Sequence, residues 1–212
     1  MRRILQLPTK ELRFALAIWV LILVVSFAQY LENPDPQLRH RAILYTARGT
    51  VGFWGYGSFR LLLLMRRSWA RQRSRIDEQW VWALGFALFV CHIVAAFHLA
   101  HNWSHERAFR QTELESGFGE GIFVNYFFGL IWFSDVVWLS FCPRSYARRP
   151  SWVSGCIHGF LAFIMFNATV IFGSTAARVV GVLSFTAILF GFFLRFLASH
   201  KRPLQDFDPR IP

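Results

Sequence analysis

Residues 79–101, QWVWALGFALFVCHIVAAFHLAH, decide the class of this chain. They contain no Asp, Glu, Lys or Arg, and their apolar side chains fill every face instead of repeating at a helical or strand period. A helix rising about 1.5 Å per residue needs about 20 such residues to cross about 30 Å of hydrocarbon, so the stretch reads as a transmembrane helix.

Further apolar blocks flank it at 14–30, 42–65, 121–142, 152–173 and 177–198. The 212 residues therefore read as one integral membrane domain, 1–212, an all-α polytopic bundle of six transmembrane helices with no length left for a soluble domain. The first block follows Arg2, Arg3, Lys10 and Arg13 and reads as a retained signal anchor, the alternative being cleavage after Ala28. The second carries Arg48, Arg60 and the glycines Gly49, Gly52, Gly55 and Gly57, a cluster that predicts close helix approach. Gly155 and Gly159 repeat the small-x-x-x-small spacing.

The formal charge of +11 falls in the connectors, which points to topology and anionic lipid headgroups and away from nucleic acid. Alternating the connectors places sixteen basic residues on the side of the N-terminus, five of them between Arg66 and Glu78, and six on the other. That asymmetry predicts cytoplasmic termini, in a membrane of the bacterial inner type. The implied partner is the lipid bilayer, with a homo-oligomer or a membrane-complex subunit as open alternatives. Cys91, Cys142 and Cys156 stand singly and read as reduced packing residues.

Chemistry-bearing residues gather at the end of the third block. On a helix continued through Asn102 to Glu115, His98, His101 and His105 fall within about 60° of one another. His101 and His105, at i and i+4, can reach one ion from a single helix, with His98 as a third ligand. This predicts a zinc or iron site, or a small-ligand site, at the outer face. No H-E-x-x-H accompanies the stripe, so histidines that only satisfy helix contacts are the competing expectation.

Deeper in the bilayer, Asp135 and His158 come to about the same level on helices running in opposite directions. A carboxylate in hydrocarbon needs a partner; His158 is the leading expectation and Arg60 the alternative. His92, Asn125 and Asn167 can complete a polar pocket or proton relay with that pair. A haem held between His92 and His158 is less favoured, because their levels differ by roughly 7 Å.

His98-Leu99-Ala100-His101-Asn102 resembles the H-x-x-x-N element of rhomboid proteases, and Val153-Ser154-Gly155 resembles part of their G-x-S-G. Ser154 and His98 are expected at opposite membrane faces, and nucleophile and base must meet within about 3 Å, so serine-protease chemistry is rejected. The function expected is a metal or small-ligand site at the outer face, with a non-enzymatic scaffold or accessory subunit and a small proton-coupled transporter as the alternatives.

Overall fold

A computed structural model describes residues 10–32, 35–64 and 72–200; the charged leader before Lys10, the connector from Met65 to Arg71 and the tail after His200 lie outside the described residues. Eight α-helices follow in order: α1 (Lys10–Glu32), α2 (Pro36–Leu64), α3 (Gln72–Leu99), α4 (His105–Ser116), α5 (Gly121–Phe141), α6 (Pro143–Arg148), α7 (Ser151–Phe166) and α8 (Thr175–His200). A π-helical turn, Asn167–Ile171, extends α7. Among the described residues there is no strand.

Among the described residues, five helical segments are long and apolar enough to cross a membrane: Lys10–Ala28, Gln79–Leu99, Gly121–Phe141, Ser151–Ile171 and Thr175–Leu194. The chain is thus an all-α membrane helix bundle. Its lipid-facing surface is apolar, with Phe14, Leu21, Leu130, Phe163, Leu183 and Phe193 each exposed. In water such a surface would drive aggregation; in hydrocarbon it costs nothing.

The second expected span is not among these five; its helix, α2, runs unbroken through both arginines and is the axis of the bundle. α2 packs against α1, α3 and α8. Its glycines allow the approach: a Cβ on Gly49 would meet Leu88 and Ile22 at 2.7 and 2.9 Å, one on Gly55 would meet Ser184 at 2.6 Å, and one on Gly57 would meet Trp82 at 2.8 Å. α1 and α2 run antiparallel, as do α3 and α5: Arg60 near the end of α2 bonds Glu11 at the start of α1, and Gln79 in the first third of α3 bonds the Leu139 carbonyl near the end of α5. The bundle end at which α1 begins is termed the near side and the opposite end the far side.

The core is aromatic. Trp54, Trp82 and Trp132 are fully buried, and the Trp82 and Trp132 rings lie 5.2 Å apart. By contrast, a Cβ at Gly155 or Gly159 would meet nothing within 4 Å, so that glycine pair packs against no helix among the described residues.

One expected element is corrected. The helix through residues 79–115 breaks after Leu99, because Asn102 and Trp103 adopt φ of 48° and 58°. Asn tolerates this left-handed region, and Ser104 then caps a new helix by accepting from the Arg107 amide at 3.3 Å. α4 ends on Gly117 at φ 73°, whose amide closes on the Glu113 carbonyl.

The tightest α2–α8 contact is directly testable. Gly55→Val should lower the unfolding free energy in detergent by about 1–3 kcal/mol, the usual cost of overpacking, whereas Gly52→Ala, which has open space, should change it little. Equal effects of the two substitutions would contradict the packing described.

Candidate functional site

Asp135 sits on α5 fourteen residues past its start, in a helix with no other charged side chain. Two prolines determine what reaches it. Pro143 ends α5 and begins the single-turn-and-a-half α6, and Pro150 holds the preceding Arg149 in extended backbone, at φ −61° and ψ 143°. The connector therefore doubles back, and the Arg149 side chain enters the bundle.

Arg149 Nη1 donates to Asp135 Oδ1 at 2.5 Å, with side-chain exposures of 5% and 0%. Trp82 Nε1 and the Tyr146 hydroxyl donate to Asp135 Oδ2 at 3.0 and 3.2 Å. Arg149 also donates through Nε to Ser154 Oγ at 2.7 Å and through Nη2 to the Tyr146 hydroxyl at 2.9 Å. Nη2 lies 3.0 Å from His158 Nε2; a guanidinium only donates, so Nε2 accepts and the imidazole proton is on Nδ1. The guanidinium stacks over the Tyr146 ring at 3.8 Å, and the His158 ring packs on Trp82 at 5.6 Å. Burial, then the charge of Asp135, push the Tyr146 phenol well above its ordinary pKa, which keeps its hydroxyl protonated.

The cluster corrects the expected pairing. Asp135 and His158 do share one site, but Arg149 stands between them and is the ionic partner of Asp135. Arg60 instead pairs with Glu11 at 2.6 Å. In the sequence, Arg149 is one of three arginines, with Arg144 and Arg148, in the connector between the fourth and fifth blocks. The signal that could have found it is its position beside Pro150, fourteen residues after the Asp135 carboxylate.

The other polar residues are dispersed. His92 on α3 is bound through Nδ1 to the Ile43 carbonyl of α2 at 3.2 Å, with Thr46 Oγ1 at 3.5 Å. Asn125 is exposed on α5, and Asn167 donates to the Phe163 carbonyl at 2.7 Å where the π-helical turn begins. His92, Asn125 and Asn167 therefore do not share the Asp135–His158 site, and His92 and His158 hold different partners on different helices.

The histidine stripe loses its common helix at the break after Leu99. His98 lies in α3, His101 in the turn and His105 in the first turn of α4. His98 Nδ1 accepts from Trp103 Nε1 at 3.3 Å, His105 Nδ1 lies 3.0 Å from the Tyr126 hydroxyl, and the His101 ring meets Phe97 edge-on. Among the described residues, no three His, Cys, Asp or Glu side chains stand close enough to hold one metal ion. Ser154, the serine of the rejected protease resemblance, is occupied by Arg149. Cys91 is half-buried, Cys142 and Cys156 are exposed, and all three are free.

Compared with known proteins, the chain matches no family model, no curated protein sequence and no solved structure.

The cluster can neutralise a membrane-embedded charge and tie α3, α5, α6 and α7 together near the near side. Breaking a buried ion pair leaves one charge uncompensated, so Asp135→Asn should cost about 3–5 kcal/mol in detergent unfolding, and a loss below about 1 kcal/mol would contradict the assignment. At the far side, burial lowers the His101 pKa against an opposing pull from Glu115. The unfolded chain then binds that proton more readily, so the contribution of His101 to stability is present above about pH 6.5 and lost as pH falls toward its folded midpoint. A ring-proton titration of the full chain should place that midpoint below about 6.5; a higher value would contradict it.

Proposed function

We propose that the chain is a non-enzymatic membrane scaffold or accessory subunit, residing in a membrane of the bacterial inner type with both termini cytoplasmic. The observation that carries this reading is that the imidazoles singled out in the sequence are engaged by neighbouring protein groups. His92 holds α2, His98 holds Trp103, His105 holds Tyr126, and His158 holds Arg149. Asp135, the membrane carboxylate, is likewise satisfied by three donors of the same chain. The excess of basic residues on the near side supports the orientation. The role implies a protein partner within the membrane, either a second copy or another subunit.

The competing reading places a zinc or iron ion at His98, His101 and His105. It draws on their proximity in sequence around one turn, and on His101, whose ring meets Phe97 edge-on and whose pKa burial lowers. Proton-coupled transport through Asp135 and His158 is the third reading; the Arg149 bridge between them favours the scaffold over it.

Elemental analysis of the full chain purified in detergent without chelator separates the first two. The scaffold reading expects no stoichiometric metal and unchanged unfolding midpoints for His101→Ala and His105→Ala at neutral pH. Stoichiometric zinc or iron, lost in both variants, would overturn it.

A further inference from the structure

A lateral cleft of about 660 Å³ opens between α1 and α2. Its walls include Phe14, Ile18, Leu21 and Val25 of α1 and Gly52 of α2, where a Cβ would meet nothing within 4 Å. Gly49, one turn away on the same helix, instead packs tightly on Ile22 and Leu88, so the helices touch there and diverge beside it. Phe14, Leu21 and Val25 are each at least half exposed, which leaves the cleft open toward the lipid-facing flank of the bundle.

One cation lies in this apolar cleft. Arg48 is twelve residues past Pro36, about 18 Å along α2, a depth at which a charge is costly unless it is neutralised. Its Nε is buried and has no hydrogen-bond partner among the described residues. The guanidinium lies 5.7 Å from the Tyr45 ring centre, toward the far side, the direction in which long helical side chains tilt. The acidic residue lining the cleft is Glu11, at its near-side end, where it is bonded by Arg60 at 2.6 Å; Arg60 also donates to Tyr56 at 3.3 Å. The counter-charge for Arg48 must therefore come from outside these lining groups.

We infer that the cleft is a binding site for one anionic phospholipid of the surrounding bilayer, its phosphodiester on Arg48 and one acyl chain along the groove toward Glu11. The dimensions are comparable: twelve residues of α2 separate Arg48 from Arg60, the residue bonded to Glu11, roughly 18 Å of helix, against roughly 15 Å of hydrocarbon in one leaflet. Lateral opening admits a molecule already dissolved in the bilayer, and the apolar walls suit a chain that a water-soluble anion lacks. The Arg48 guanidinium, on a partly exposed side chain that lines the cleft, selects a negative head, because guanidinium–phosphate hydrogen bonds are charge-assisted. The proposal is independent of the scaffold assignment, since it uses none of the histidines and not the Asp135 cluster.

The test uses the full chain in nanodiscs of phosphatidylcholine with a minor share of phosphatidylglycerol, released into the mass spectrometer from mild detergent. One phosphatidylglycerol should stay with each chain. Arg48→Gln should reduce its retention about tenfold, the scale of one lost charge-assisted contact. Gly52→Leu, which fills the groove where space exists, should do the same with an unchanged unfolding midpoint, whereas Arg110→Gln on the exposed α4 should not. Equal retention in all four proteins, or no preference for the anionic lipid, would overturn the site. So would a retained free fatty acid in place of the phospholipid, or a lipid-free dimer dissociated by Gly52→Leu, which would assign the cleft to a second copy.

Discussion

A carboxylate within hydrocarbon must be neutralised, and in this chain the Asp135–Arg149 pair does so at almost zero exposure. Much of the near side follows from that requirement. The connector after α5 cannot run out along the membrane surface, because its arginine is needed inside. Pro143 and Pro150 bracket the short α6 that turns the chain back, and Tyr146, buried on that helix, serves both ions at once. Trp82 from α3 and Ser154 and His158 from α7 complete the shell, so one ion pair sets the relative placement of four helices.

The rest of the bundle is held by close approach. α2 carries the glycines that let α1, α3 and α8 come near its backbone, and His92 and Thr46 add polar contact between α3 and α2 where the glycines end. Without a hydrophobic driving force between helices in lipid, such packing and hydrogen bonding carry the association. The same helix bears Arg48, a cation with no bonded acid among the described residues. Its placement beside an open groove makes lipid the complement that the chain itself does not provide.

Helices were legible in the sequence because hydrocarbon thickness imposes a length: the block 121–142 coincides with α5, whereas 79–101 takes in only the later part of α3, which begins at Gln72. The glycine-rich second block also announced close packing, which Gly49, Gly55 and Gly57 deliver, while Gly52 opens onto the cleft. Asp135 and His158 were recognised as one level. Arg149 was not, because charges in connectors report topology by default and only the proline-bracketed turn redirects this one inward. The histidine stripe failed for a local reason: periodicity assumes a continuous helix, and two left-handed residues at Asn102 and Trp103 rotate His105 away from the face of His98. The Asn-x-Ser run ahead of His105 was the available signal, a left-handed-tolerant residue followed by an N-cap.

The central claim is that Asp135 and Arg149 stabilise the bundle as a pair. A double-mutant cycle with Asp135→Asn and Arg149→Met, followed by reversible unfolding of the full chain in detergent, measures it most directly. The expected result is a coupling energy of about 3 kcal/mol, close to the loss of either single variant, so that the double variant loses little more than either one. Additive losses, within about 0.5 kcal/mol, would contradict it.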